Sequence, residues 1–316
     1  MNKMTKLGVS ALCGSLAAVS AANAGSLTVS GGIDMTWQSF DDAVTGNPIG
    51  IGSNYTLSGS GEMDNGWTVG LDIAYSNSGT YSNTNVSVTV PALGAFIISQ
   101  GVSGSGIDRM DDKTPNVWEE AYASGLSTGI NTVAGASGGT NIEYTPNMLP
   151  DGITARVSWS PNAAGSKSND KGSSGASANN GSGYDVTLEL GEAVTGMTGL
   201  NIYGGLSSVA SEGTNNDGDR DEQTFGATYA MGNFTVGYGK SYKAPELSSA
   251  VTAGTTDAEY YENTGVSVGF AVNDELSVSY TTEDSQVQYA HSAQASYDIE
   301  MNSIQAAYSL GGATLS

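Results

Sequence analysis

Carboxylates supply most of the side chains in this sequence that could take part in chemistry. The chain has 32 Asp and Glu residues, 10 Lys and Arg, one His and one Cys. Asp217, Asp219 and Asp221 stand at the alternate spacing that begins a calcium-binding loop. Such a loop also needs a glycine at its sixth position and a glutamate at its twelfth, where Glu222 and Thr228 stand instead. The spacing therefore predicts no cofactor beyond a loosely bound divalent cation.

A catalytic centre has little support in the sequence. His291 is the only histidine, and with Ser292 and Asp284 it could be imagined as a base, nucleophile and orienting group. Nothing in the pattern arranges the three residues, and a polar histidine in a loop needs no such explanation. The chain also lacks a P-loop, an HExxH motif and paired Cys/His metal spacing. We do not expect an enzyme.

One acidic segment, GVSGSGIDRMDDKTPNVWEEAYASG (101–125), interrupts an otherwise regular pattern. Its charged residues are Asp108, Arg109, Asp111, Asp112, Lys113, Glu119 and Glu120. A solvated loop would account for these charges. A loop folded back onto the protein would also use Trp118 and Tyr122, which are large enough to be buried.

The elements around this segment alternate apolar and polar residues. In the stretch 67–76, Trp67, Val69, Leu71, Ile73 and Tyr75 alternate with Thr68, Gly70, Asp72, Ala74 and Ser76. A period of two predicts a strand with one apolar and one wet face. The charged residues on the wet faces of such strands are Asp34, Glu62, Asp72, Glu143, Arg156, Asp185 and Glu189.

This alternation recurs along the chain and predicts an all-β protein. The predicted strands are 26–40, 54–63, 67–76, 84–90, 96–102, 141–146, 152–161, 184–191, 200–208, two strands within 224–242, and strands near 260–272, 275–283 and 298–310. Short turns such as DNG, PALG, MGN and VNDE alternate with long polar loops. That asymmetry is typical of a transmembrane antiparallel up-and-down β-barrel. We count about 14 complete strands and the first residues of one more, in a single domain.

A soluble, secreted β-rich binding or surface protein, built as a sandwich or a solenoid, is the main alternative, because its strands alternate as well. The wet face here is Thr, Ser, Gly, Asn, Asp and Glu almost throughout, so that face must meet water, which favours the barrel. No apolar run approaches the roughly 20 residues of a spanning helix, but barrel strands hide their apolar surface in alternate positions.

The N-terminus predicts export. Lys3 and Lys6 precede a run of small apolar residues, and Ala22-Asn23-Ala24 forms a cleavage site, so residues 1–24 are a predicted signal peptide. Its removal also removes Cys13 and leaves 10 − 2 = 8 basic residues against 32 acidic ones, a net charge of −24. That charge argues against nucleic acid as a partner and suits cationic solutes or divalent ions.

The chain resembles the general diffusion porins of Gram-negative outer membranes. The resemblance rests on AGSLTVSGGIDMTWQSF, NIEYTPNMLPDGITARVSWSP, FGATYAMGNFTVGYGKSY and MNSIQAAYSLGGATLS, and it extends over 25–316. It implies a barrel domain of 16 strands, a homotrimer in outer-membrane lipid, and passive diffusion of small hydrophilic solutes. Such porins end in an aromatic residue, so the ending at Ser316 predicts a C-terminally incomplete sequence.

The resemblance also implies that segment 101–125 is the third extracellular loop, which folds into the pore as its eyelet. The family places an arginine cluster opposite that loop. Here the strands that should carry it (26–40, 54–63, 67–76 and 84–90) have no basic residue. Carboxylates lining a pore concentrate cations, so we predict a cation-preferring pore. A channel of the same fold that is selective for a cationic or metal-bearing nutrient is the alternative.

Overall fold

A computed structural model describes most of the chain. The described residues are 27–37, 49–77, 79–100, 104–116, 130–136, 139–163, 180–212, 216–248, 250–251, 257–309 and 314–315. The predicted signal peptide lies outside them, as do Trp118, Glu119, Glu120 and Tyr122. The chain divides into two compact units, Met1–Val102 and Ser103–Ser316.

The first unit is an antiparallel meander in which each strand pairs with the next. Its strands are β1 (Thr28–Trp37), β2 (Ile49–Glu62), β3 (Thr68–Ser76), β4 (Thr80–Val90) and β5 (Gly94–Gln100). The turn between β2 and β3 is closed by a 2.8 Å hydrogen bond from the Gly66 N–H to the Met63 carbonyl. Gly66 has a φ of +79°, which favours glycine at this position.

The second unit continues the same architecture. Its strands are β6 (Thr140–Pro146), β7 (Ile153–Ser160), β8 (Asn180–Leu190), β9 (Leu200–Ser211), β10 (Asn216–Asp217), β11 (Arg220–Met231), β12 (Phe234–Ala244), β13 (Leu247–Ser248), β14 (Ala258–Ala271), β15 (Leu276–Tyr289), β16 (Tyr297–Ser309) and β17 (Thr314–Leu315). Apart from β10 and β13, which pair with each other, each strand pairs antiparallel with its neighbours in this order. A 3₁₀ helix (Gly106–Lys113) precedes β6, and a short helix α1 (Glu192–Thr195) lies between β8 and β9.

Fourteen strands occupy the predicted places, and β17 is the predicted beginning of one more. Several strands are longer than predicted, and the largest extensions are those of β2, which begins at Ile49, and β15, which continues to Tyr289. The extension of β15 does not continue the strand's alternation, because Gln286 and Gln288 stand on the face of Tyr280 whereas the apolar Val287 stands on the other. Its pairing comes from backbone hydrogen bonds to the neighbouring strands, through pairs such as Glu262↔Gln286 and Gln286↔Asp298.

In the second unit the sheet exposes its apolar face and buries its polar face, which is the reverse of the arrangement in a soluble protein. Along β8, Tyr184, Val186 and Leu188 are 56%, 44% and 42% exposed, whereas Asp185 and Thr187 between them are 1% exposed. A water-soluble sheet buries its apolar face and exposes its polar one. An exposed apolar face suits lipid, and the aromatic side chains that directly follow short turns, Trp67 and Phe234, are also exposed. Among the described residues, no helix is both long and apolar enough to cross a membrane.

Candidate functional site

A segment of the chain covers the polar face of the second unit's sheet. We call residues 104–116 and 130–136 the wall loop. Its 3₁₀ helix packs against β7, β8, β9, β11 and β12. The apolar side chains that it buries on this face are Ile107, Met110, Val133 and Ala136. The loop therefore lies against the strands instead of extending into solvent.

Asp185 of β8 joins the two parts of the wall loop. Its buried carboxylate accepts a 3.2 Å hydrogen bond from the Ile107 N–H and a 3.0 Å hydrogen bond from the Ala136 N–H. Gly106 and Gly135, both with a φ of +61°, pass so close that a Cβ on either would overlap this carboxylate. The close approach needs glycine at both positions, and it holds both parts of the loop on one wall residue.

Glu143 of β6 holds the beginning of the 3₁₀ helix. Its buried carboxylate accepts hydrogen bonds from the Gly106 N–H at 2.8 Å and from the Ser158 hydroxyl at 3.0 Å. Nη2 of Arg109 also donates to both of its oxygens, at 2.6 Å for Oε2. Hydrogen bonds to an ionised carboxylate are the stronger kind, so this residue is a firm anchor.

Glu189 of β8 holds the end of the same helix. Nζ of Lys113 lies 2.8 Å from Oε2, and Nη1 of Arg156 lies 2.6 Å from Oε1. One carboxylate is therefore shared by a cation of the loop and a cation of β7. Arg156, the predicted mid-strand cation, is engaged in this pair.

Glu222 of β11 is a fourth anchor, and the sequence analysis missed it. Its buried carboxylate accepts hydrogen bonds from the Ala134 and Gly135 N–H groups at 2.7 and 2.6 Å. It is also ion-paired with Arg220 at 3.2 Å and Lys243 at 3.6 Å. Glu222 is the last residue of the polar segment DGDRDE (217–222), whose composition is typical of a loop. The alternation of Gly226, Thr224 and Glu222, traced backwards from the strand, would have placed it on the polar face.

Every Lys and Arg that the structure describes is in an ion pair. The pairs are Arg109–Glu143, Lys113–Glu189, Arg156–Glu189, Arg220–Glu222, Lys243–Glu222 and Lys240–Glu262. Lys167 and Lys171 lie outside the described residues. Each described cation of the second unit therefore lies beside a carboxylate, although Glu189 and Glu222 each serve two cations.

Glu62 and Asp72, acids on the polar face of the first unit, have no basic ion-pair partner among the residues that the structure describes. Thr28, Ser58, Asp72, Asn85 and Ser99 stand opposite one another across β1 to β5. Glu62 and Asp34 share this face by register, although the side chain of Asp34 lies outside the described ones. No basic residue occurs between Lys6 and Arg109.

The remaining candidates are scattered. Asp108 accepts a hydrogen bond from the Gly104 N–H, and Asp111 lies in the 3₁₀ helix, whereas the side chain of Asp112 lies outside the described ones. Asp219 accepts a hydrogen bond from the Ser211 N–H at 3.2 Å, and Asp221 is exposed on β11. Asp217 is described only for its backbone. Over the described residues, no three His, Cys, Asp or Glu side chains group to hold a metal ion.

The imagined catalytic set is not assembled. Nδ1 of His291 accepts a 3.0 Å hydrogen bond from the Ala293 N–H in the turn after β15. Asp284 lies on β15 five residues before Tyr289, where the strand ends. At about 3.3 Å per residue, that separation is roughly 17 Å along the strand.

Comparisons with known proteins agree on one family and one fold. A family model described as "Gram-negative porin" matches residues 8–316. Salmonella typhi OmpF, solved in complex with daunomycin, is 15% identical, with a TM-score of 0.64 over 91% of this chain and 87% of its own. Vibrio cholerae OmpT in a trimer form is 10% identical, with a TM-score of 0.61 over 90% and 84%. A porin refined at 1.8 Å is 14% identical, with a TM-score of 0.61 over 91% of both chains.

No curated protein sequence matches significantly. At these identities the structural likeness shows the fold, which is an antiparallel porin β-barrel.

Proposed function

The chain belongs to the Gram-negative porin family, and from this membership we propose that it forms a water-filled channel for passive diffusion of small hydrophilic solutes and ions. In such a barrel the apolar strand faces meet lipid and the polar faces line the channel. The exposed apolar row of β8 and its buried polar row support this orientation. We assign no covalent step to the channel.

We propose that the wall loop forms part of the channel's constriction. It lies on the polar face of the strands, and Glu143, Asp185, Glu189 and Glu222 hold it there. Because these four carboxylates bind the loop, they position it more than they attract passing ions. The loop residues Glu119 and Glu120 lie outside the described residues, and their place in the constriction remains part of the proposal.

The proposed cation preference rests on the distribution of charge along the chain. All six described basic residues are ion-paired, and the whole chain has 32 acidic residues against 10 basic ones. Glu62 and Asp72 on the polar face of the first unit have no ion-pair partner among the described residues. The unbalanced field is therefore negative, which raises the local concentration of cations.

We further propose that the channel is a homotrimer in the outer membrane. The family is that of Gram-negative porins, and the similar Vibrio cholerae OmpT is known in a trimer form. The predicted signal peptide would direct export of the chain. Recovery from outer membranes as a species whose gel mobility shifts on heating would test location and assembly together.

Reversal potentials in planar bilayers test the selectivity. The purified protein is inserted, a KCl gradient is applied, and the zero-current potential is measured. We expect the sign of a cation-preferring channel, with the preference decreasing at high salt because mobile ions screen the carboxylates. An anion-preferring potential would contradict the charge argument while leaving the channel itself established.

A further inference from the structure

The polar face beneath the wall loop has a strip without side chains. Gly226 of β11, Gly239 of β12 and Gly265 of β14 stand opposite one another in register, and Tyr203 of β9 stands opposite Gly226. Neighbouring strands are about 4.8 Å apart, so the three glycines leave a bare strip roughly 10 Å wide. Gly237 extends it along β12, and Gly269 lies beyond Ser267 on the same face of β14; we call these five glycines the glycine trough.

The trough is filled by one wall side chain and two loop residues. A Cβ on Gly226 would overlap the Tyr203 ring, and one on Gly239 would lie 3.1 Å from its hydroxyl. The same Cβ on Gly239 would lie 3.5 Å from Cγ2 of Thr114. Pro115 sits so deeply that a Cβ on Gly237 would overlap its Cδ, so the trough fits these residues closely.

Polar contacts hold the wall loop on both sides of Thr114 and Pro115. Before them, Nζ of Lys113 lies 2.8 Å from the carboxylate of Glu189. After them, the Thr281 hydroxyl donates a 2.6 Å hydrogen bond to Oδ1 of Asn116. Between the two contacts, the depth of the trough decides how close the backbone of residues 114–115 lies to the strands.

We propose that the glycine trough sets the distance of the wall loop from the barrel wall and is thereby a determinant of the channel's free cross-section. This inference rests on the proposed channel function. Protein interiors are close-packed, so one added methyl group is enough to displace a neighbour. Glycine is used here to make room for the loop, since its position within regular strands needs no special backbone conformation.

Alanine substitutions at matched positions test the proposal, because each adds the same methyl group to the same trough. In G237A the methyl meets the ring of Pro115. In G265A its nearest neighbours are 3.8 and 4.0 Å away, which is ordinary contact. Single-channel conductance and reversal potential of the refolded full chain are measured in planar bilayers. We expect a lower conductance for G237A and wild-type conductance for G265A.

The double variant G237A/P115A completes the test, because truncating Pro115 removes the Cδ that the new methyl overlaps and leaves Cα of Thr114, 3.3 Å away, as its nearest loop atom. We expect it to recover the wild-type conductance, and to recover insertion if G237A alone fails to insert. A G237A channel with wild-type conductance, or a double variant as impaired as the single one, would overturn the proposal. A wild-type protein that forms no channel would instead refute the proposed function.

Discussion

Nη2 of Arg109 donates to both carboxylate oxygens of Glu143, whose side chain is only 3% exposed. The pair joins a cation of the 3₁₀ helix to an acid of β6 on the polar face of the sheet. Neither group is a free charge toward the channel, and together they fix the wall loop. The same logic applies at Asp185, Glu189 and Glu222, so the wall acids of this unit hold the loop in place.

Removal of the charge at Glu143 is expected to loosen the loop. In E143Q, Arg109 keeps its charge but loses its carboxylate, and breaking one partner of a buried pair costs about 3 kcal/mol. The free energy of unfolding in detergent, from urea titration, should fall by an amount of that order. The freed guanidinium should also weaken cation preference in bilayers. E259Q, at an exposed position of β14, is the matched control and should change neither quantity.

Substitution of Asp185 is expected to release both parts of the loop. D185N keeps the shape of the side chain but offers a single neutral acceptor to the N–H groups of Ile107 and Ala136. Hydrogen bonds to a charged group contribute about 1.5–3 kcal/mol, so we expect a loss within that range. Limited proteolysis should cut residues 104–136 faster than in D298N, whose aspartate is exposed on β16. Equal cleavage rates in the two variants would show that Asp185 is not an anchor.

The acids of the first unit are expected to set the selectivity. In the double variant E62Q/D72N two of the polar-face carboxylates are neutral, so the reversal potential in a KCl gradient should move toward zero. The difference from wild type should vanish at molar salt, where the Debye length is about 3 Å. D151N, in a short turn before β7, serves as control. A double variant with unchanged selectivity would assign the preference to other residues.

A charged residue on the exposed apolar face is expected to impair folding into a membrane. V186R places a guanidinium between Tyr184 and Leu188 on β8, at a cost of about 2–4 kcal/mol near the bilayer midplane. Folding into liposomes, followed by the heat-dependent shift in gel mobility, should be impaired relative to V186L. If V186R folded as well as V186L, Val186 could not face lipid.

The sequence by itself determined the strands and their faces. A period of two assigns each residue to one side of a strand, and the 14 strands found at the predicted places follow from that local rule. The polar face of the first unit illustrates this, since Ser58, Asp72 and Asn85 stand opposite one another as their alternation predicts. The same rule, extended a few residues earlier in β11, would have included Glu222.

Only the tertiary structure decided what each polar face meets. Alternation could not distinguish Asp72 from Asp185, because both are acids at polar positions of a strand. Their difference comes from the wall loop, whose contacts join residues far apart in sequence: 37 positions from Gly106 to Glu143, 78 from Ile107 to Asp185 and 76 from Lys113 to Glu189. A periodic pattern records which side a residue faces, and burial of that side depends on where a distant segment folds.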